Sequence, residues 1–439
     1  MNMKKKKEKN GKNYSMQTRL IYGKSISKKW DYNHHVVPPI SSSATFRLDT
    51  AKRGAQGFME FAHHNGEKTV ESRAPIYIYD RLGEPNKELL EENLAAAETG
   101  ESAVTFCTGM AAISAIFGAL TGSDDEIIAH SVLYGCTYSL LTNWYPRYRI
   151  NTKFIDLINP NNLKKEISLK TRVVYFETPV NPTLDLIDIS AISKIVKSAN
   201  KNRPKGREIY LVIDNTFATP FCQRPIELGA DFTVESLTKG ITGFGTDMGG
   251  VVVGPKWSYD LLLMYRKDFG GVLAAKSAWP IMVYGLPSLP IRFKQSMKSA
   301  LEVAKFLESD SRVNYVRYPG LESFPQPELA RRQLIDYDGN FAPGVLLYFA
   351  FKGKTPKKRK EKGEKFINYL AKKAYTITLA VSLGMIRTLI EHPSSMTHAA
   401  IPPEEQIAKG IDPGGIRLSI GIEKVEDIIN DLKKALSKI

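Results

Sequence analysis

Five short, almost wholly apolar segments constrain the fold most: EIIAHS (126–131), RVVYFE (172–177), IYLVID (209–214), DFTVES (231–236) and GGVVVG (249–254). A strand with one wet face alternates apolar and polar residues. These runs do not, so both of their faces must be covered. The intervals between them carry helical patterning, which implies βαβ units and a mostly parallel sheet. Upstream, ELLEENLAAAETG (88–100) sets Leu89, Leu90, Leu94 and Ala97 on one helical face, and GMAAISAIFGAL (109–120) predicts a buried helix. Several strands end in a polar residue followed by a turn: Glu177, Asp214 and Ser236. In an open α/β sheet, ligands bind beyond the carboxyl ends of the strands. From about residue 283 the texture changes. FKQSMKSALEVAKFLES reads as an amphipathic helix, YVRYPGL, GVLLYFAFKG and GIRLSIGIE read as strands, and VEDIINDLKKALSKI closes the chain as a helix.

The placement of charge weighs against one class of function. The chain carries +15, of which residues 1–30 hold +9 and residues 352–365 hold +6, so the rest is neutral. A nucleic-acid enzyme spreads basic residues along a groove with aromatics between them. Two low-complexity runs instead read as a disordered tail and a solvated loop insertion. No apolar h-region follows the basic start, and no run of about 18 apolar residues predicts a membrane span. Three cysteines, Cys107, Cys136 and Cys222, give no disulfide framework and suit a reducing cytoplasm.

Candidate chemistry gathers at the strand ends. TFCTGMAAI (105–113) is a strand end, a turn and a helix start. There Thr108 can cap the helix, while the N–H groups of Gly109 and Met110 face outward as a phosphate cradle. A plain βα turn is the alternative. Rossmann and Walker glycine patterns are absent. Asp214 ends a buried strand, either as a cap or as a carboxylate kept ionised for a protonated ring nitrogen. Lys239, in VESLTKG between Ser236, Thr238 and glycines, is either a loop lysine or a nucleophilic amine. An amine attacks carbonyls only when unprotonated, so it needs desolvation or a nearby cation. A phosphate site, an acid for a ring nitrogen and a lysine for an aldehyde are together what pyridoxal phosphate needs. Tyr134 in VLYGCTYS is placed to stack on such a ring. Tyr79 and Arg81, in IYIYDRLGEP, have no obvious local phosphate. Arg417 lies in an apolar strand, and a buried arginine needs an anion, such as an amino-acid carboxylate. None of the seven histidines has metal-site spacing. They are read as structural or surface residues, with His398 in SMTHAA the one most open to a role.

YDRLGEP, CTGMAAI, LYGCT, ETPVNPT, DNTFATP, ESLTKG, YPGLES, HPSSMTH and IRLSIGIE occur in this order. From about residue 38 to the C-terminus the chain resembles the cystathionine γ-synthase-like family of pyridoxal-phosphate enzymes of cysteine and methionine metabolism. The resemblance implies an α/β chain of fold type I, aspartate aminotransferase-like, with a mostly parallel central sheet and a smaller C-terminal α+β domain. It implies a homotetramer of two catalytic dimers. The expected organisation is a basic tail (1–30), an arm contacting a neighbouring subunit (31–75), a large cofactor-binding domain (76–282) and the C-terminal domain (283–439) with its basic insertion near 352–365. Carried over residue by residue, Lys239 joins the cofactor aldehyde and shuttles the substrate's Cα proton. Asp214 pairs with the pyridine nitrogen, and Tyr134 stacks on the ring and exchanges a proton at the leaving group. Thr108, Gly109, Met110, Thr216, Ser236 and Thr238 contact the cofactor, with Tyr79 and Arg81 reaching the neighbour's phosphate. Asn181, Ser382, Leu383 and Arg417 hold the substrate.

Four positions depart from the family's usual pattern: Glu235, where His is frequent; Gly240, where an aromatic is; Phe244, where His is; and Arg387, where many members carry an acid. Arg387 resembles homoserine-ester sulfhydrylases. Cys136 in LYGCT, Lys267-Asp268 in YRKDFGG and SSMTHAAIPPEEQIAKGI resemble the methionine γ-lyase branch. The expected reaction is α,γ-elimination of L-methionine to 2-oxobutanoate, methanethiol and ammonia. The alternatives are an O-acetyl- or O-succinylhomoserine sulfhydrylase and a cystathionine γ-synthase or γ-lyase. A nucleotide-binding α/β enzyme using the 105–113 turn, and a nucleic-acid-associated protein using the basic runs, stay as readings from other classes.

Overall fold

The computed structural model describes residues 14–22, 35–62, 76–399 and 402–439. The central sheet has seven strands: β1 (Ser102–Phe106), β2 (Glu126–His130), β3 (Asn151–Ile155), β4 (Thr171–Glu177), β5 (Tyr210–Asp214), β6 (Phe232–Glu235) and β7 (Gly250–Gly254). Their order is β1-β7-β6-β5-β4-β2-β3. Strands β3, β2, β4, β5 and β6 run parallel, and β7 lies antiparallel between β6 and β1. The five apolar segments are five of these strands. The half-exposed edge strand β3 lacks the apolar signature that marked the others.

Alternation along the strands decides what each face buries. Val173, Tyr175, Val212 and Val234 pack on one face with Ala112, Ile116 and Phe117 of the helix Gly109–Leu120. Val174, Phe176, Leu211 and Ile213 point to the other face, against Ile192 and Val196 of the helix Ile189–Asn200. Asp214 follows Val212 by two residues, so it shares the face covered by Gly109–Leu120.

The C-terminal domain holds a second sheet of β8 (Val313–Arg317), β9 (Leu346–Phe351), β10 (Ile377–Leu379), β11 (Thr388–Glu391) and β12 (Gly415–Ser419), in the order β10-β11-β12-β9-β8. Ile416 and Leu418 face its core with Ile390 and Phe349. Period two therefore sends Arg417 and Ser419 to the opposite face.

One expectation about the basic runs needs correction. Residues 352–365 are not a loop. The helix Pro356–Lys373 begins there, capped by the Thr355 hydroxyl, which accepts from Lys358 N at 3.2 Å. Its Phe366, Ile367 and Leu370 are buried in the domain core, which outweighs the repulsion among its exposed lysines. Within 1–30, Met16–Tyr22 is a helix whose Leu20 is buried against the core. Residues 1–13 and 23–34, together with His34, His63 and His64, lie outside the described residues. No helix among the described residues is long and apolar enough to cross a membrane.

Candidate active site

Three strand ends and one domain crossing converge beyond the carboxyl edge of the central sheet. At the end of β5, Asp214 accepts from the Thr216 N–H at 2.9 Å and from the Tyr175 hydroxyl at 3.3 Å. Burial raises the Asp214 carboxyl, while Thr216 and Tyr175 pull it back down. The sequence left it as a cap or as a carboxylate kept ionised. In the structure the charged form needs more help than two neutral donors give, and a cation against it would supply that help. Glu177 lies opposite Asp214 in the register of β4 and β5. Burial, then the Asp214 charge, pushes Glu177 well above the carboxylate range, so a negative charge on Asp214 favours the protonated form of Glu177. Glu177 also accepts from the Tyr134 N–H at 2.6 Å, fixing the turn that carries Tyr134.

Beside Asp214 the helix Gly109–Leu120 starts. The Thr108 hydroxyl accepts from Ala111 N at 3.0 Å, leaving the first N–H groups directed outward. A Cβ on Gly109 would lie 2.8 Å from Ser236 Cβ and 3.1 Å from its Cα, so the helix start and the end of β6 close on one another only because residue 109 is glycine. Ser236 N donates to the Thr216 hydroxyl at 2.9 Å, and the Thr238 hydroxyl accepts from Gly249 N at 3.1 Å. Gly109, Thr216, Ser236 and Thr238 thus form one rim. Met110 flanks it, its sulfur accepting from the Thr137 hydroxyl at 3.8 Å.

Lys239 follows this rim and meets the C-terminal domain. Gly384, at φ +70°, approaches so closely that a Cβ there would sit 2.6 Å from Gly240 N. This backbone contact brings the 382–384 loop to Lys239, whose Nζ donates to Ser382 Oγ at 3.0 Å. Leu383 anchors the loop in the core. Burial lowers the affinity of the Lys239 amine for its proton, the Arg417 charge lowers it further, and Glu391 partly offsets both. These are the desolvation and the neighbouring cation that a nucleophilic lysine requires.

Arg417 is 3% exposed and fully engaged on one side. Its Nη1 donates to Asn181 Oδ1 and lies 3.0 Å from Glu391 Oε1, and its Nη2 donates to the Ser382 carbonyl at 3.0 Å. Three of five guanidinium N–H groups are used. The Nε–H and one Nη2–H have no partner among the described residues, and these are the atoms of a side-on fork for a carboxylate. Tyr134 is 37% exposed, and the Cys136 thiol donates to its hydroxyl at 3.4 Å. Burial, then the Cys136 contact, pushes the Tyr134 hydroxyl well up, so it stays protonated at neutral pH.

The remaining expectations divide. Tyr79 and Arg81 make no contact with this cluster among the described residues. Arg81 lies 5.6 Å from the Tyr79 ring centre and donates to the Lys267 carbonyl, which joins YDRLGEP to the Lys267-Asp268 pair. His398 is buried, with Nδ1 on the Thr397 hydroxyl at 3.0 Å, and burial holds it neutral at about 4. Gly240 is explained by space: a Cβ there would meet Phe293 and Thr219 at 2.8 Å, so an aromatic does not fit. Phe244 lies under the Arg292 guanidinium at 5.5 Å. Arg387 is exposed, on a loop held by Ile386 N donating to Gly243 O at 2.8 Å. Glu235 is buried on the opposite sheet face, where burial and Glu98 push its carboxyl far up. Sequence reading missed Tyr175 and Glu391. The signal for Glu391 was an acid ending the apolar run TLIE, just before HPSSMTH.

A cradle of helix N–H groups, a buried carboxylate short of a cation and a desolvated amine fit the phosphate, ring nitrogen and aldehyde of pyridoxal phosphate. The comparisons agree. The family model for Cys/Met metabolism PLP-dependent enzymes matches residues 17–437. An L-methionine γ-lyase of Porphyromonas gingivalis is 38% identical over 423 residues, covering 96% of this chain and 97% of that protein. An O-acetyl-L-homoserine sulfhydrylase of Leptospira meyeri is 33% identical, covering 82% of this chain and 86% of that protein. The crystal structure of a cystathionine γ-lyase from Lactobacillus plantarum complexed with L-serine superposes with a TM-score of 0.81 at 28% identity, covering 97% and 99% of the two chains. The chain therefore belongs to the Cys/Met metabolism family of enzymes dependent on pyridoxal 5′-phosphate.

Proposed function

We propose that the protein is a carbon–sulfur lyase that eliminates methanethiol from L-methionine, leaving 2-oxobutanoate and ammonia after hydrolysis. The substrate carboxylate binds the Nε–H and Nη2–H of Arg417, which orients Cα toward Lys239. Bound between Gly109, Asp214 and Lys239, pyridoxal phosphate supplies an aldehyde for the amine and a ring that withdraws electrons from Cα. Lys239 Nζ, steered by Ser382 Oγ, takes the Cα proton because its own hold on a proton is weakened. Asp214 keeps a negative charge at the floor of the site, which its protonated neighbour Glu177 does not oppose. The Tyr134 hydroxyl remains protonated and gives its proton to the departing sulfur.

The observation that carries elimination of a thioether is the Cys136 thiol 3.4 Å from that proton donor. A soft, weakly polar thiol suits a methylsulfanyl leaving group. Six L-methionine γ-lyases to which the chain is similar are 34–38% identical to it, which supports the same reading. A second reading, sulfhydrylation of a homoserine ester, is favoured by the exposed Arg387 on the loop beside Gly243. The active form is a cytoplasmic homotetramer of two dimers, with Tyr79 and Arg81 completing a neighbour's phosphate site. In support, both residues are exposed, and the Thr45–Tyr79 bridge ties them to the N-terminal arm.

The test supplies L-methionine alone and assays 2-oxobutanoate and methanethiol, then O-acetylhomoserine with sulfide and assays homocysteine. Rapid 2-oxobutanoate from methionine is expected. Homocysteine from the ester with no product from methionine refutes the lyase and favours the second reading.

A further inference from the structure

Glu391 and Arg417 stand opposite one another in the antiparallel register of β11 and β12. Glu391 Oε1 lies 3.0 Å from Arg417 Nη1, and the two side chains are 1% and 3% exposed. The Thr397 hydroxyl donates to the same oxygen at 3.0 Å. Glu391 Oε2 is buried with no hydrogen-bond partner among the described residues. So the guanidinium assigned to the substrate carboxylate already faces a carboxylate, while a second buried acceptor stays open beside it.

We propose that Glu391 is a specificity-determining residue that weakens anion binding at Arg417, so that the site takes a single carboxylate reversibly and disfavours ligands bearing a second anionic group. The inference rests on the reading of Arg417 as the carboxylate site. The physical argument is charge. A carboxylate entering the free fork meets a pair that is neutral overall, not a lone cation. It also comes near Glu391, whose charge water screens little at this depth. Asn181 and the Ser382 carbonyl hold the guanidinium independently of Glu391, so the carboxylate is not required merely to orient it.

The experiment measures calorimetric binding of 4-(methylsulfanyl)butanoate, the methionine skeleton without its reactive amine, to the cofactor-loaded enzyme. Its neutral amide serves as control. Glu391→Gln keeps the size and one acceptor but removes the charge, and Glu391→Met removes charge and acceptor, so one reports if the other fails to fold. Tightening of at least about ten-fold for the carboxylate, with the amide unchanged, is expected. Equal or weaker carboxylate binding in a folded variant overturns the proposal. Arg417→Met separates the two levels. If it binds the carboxylate as tightly as the wild type, the assignment of Arg417 fails. If it does not, and the Glu391 variants still bind no tighter, only the role of Glu391 fails.

Discussion

Replacing Arg417 by Met keeps the bulk of the side chain and removes its charge. It deletes two donated hydrogen bonds of 3.0 Å, to Asn181 and Ser382, and the 3.0 Å contact with Glu391. The larger consequence is a carboxylate left 1% exposed without its cation. Removing one partner of a buried ion pair costs about 3–5 kcal/mol. Unfolding entropy of about 2.1 cal/mol/K per residue, applied to the whole chain, makes each kcal/mol worth about 1 °C, so the melting temperature should fall by about 3–5 °C. The loss should depend on pH. Without Arg417, burial lifts the folded pKa of Glu391 further above the unfolded value near 4.3, opposed only by the Thr397 hydroxyl and the Lys239 charge. A raised carboxyl contributes stability that is full below the unfolded pKa and lost as pH rises through the folded one. The deficit should therefore be large at pH 8 and smaller at pH 5. Scanning calorimetry of the cofactor-saturated enzyme at both pH values reads this, and the double variant with Glu391→Met should recover most of the loss at pH 8. A single variant within about 1 °C of the wild type at pH 8, or a double variant no better than the single, would refute the reasoning.

Lys239→Ala should remove the visible absorbance of the lysine-bound cofactor and nearly all turnover; a yellow, active variant would sink the mechanism. Gly109→Ala forces Cβ against Ser236 at 2.8 Å and should weaken cofactor retention by about ten-fold or more, measured by dialysis against buffer without cofactor. Glu235→Gln removes a buried carboxyl held far above its usual range by burial and Glu98. Stability should rise at pH 8 and the gain should vanish toward pH 4, below the unfolded carboxyl, as thermal melts at the two pH values would show. Arg81→Ala should loosen cofactor binding through the neighbouring subunit, and unchanged cofactor affinity would refute that placement.

Much of the site was legible in the chain because its chemistry sits at strand ends. An apolar run that stops at Asp214, a glycine that opens a helix after Thr108 and a lysine among small residues are local features, and local features survive in sequence. The basic helix Pro356–Lys373 was not legible. Its lysines dominate the composition, while the three residues that bury it, Phe366, Ile367 and Leu370, fall at its far end. The edge strand β3 and the three-residue β10 are too short or too wet to carry a period.

By itself the sequence determined that a parallel sheet would be buried on both faces and that Asp214, Ser236 and Lys239 would gather at its carboxyl edge. The apolar runs and their polar ends allow few other solutions. It could not say how the hold of Lys239 on its proton would be weakened, because that depends on residues more than a hundred positions away. The contact of Gly384 with Gly240 brings Ser382 to the amine. The register of β11 against β12 sets Glu391 opposite Arg417. Register and domain packing are long-range properties, fixed when two cores close on each other. Only the tertiary structure therefore decided the charge balance at the centre of the site.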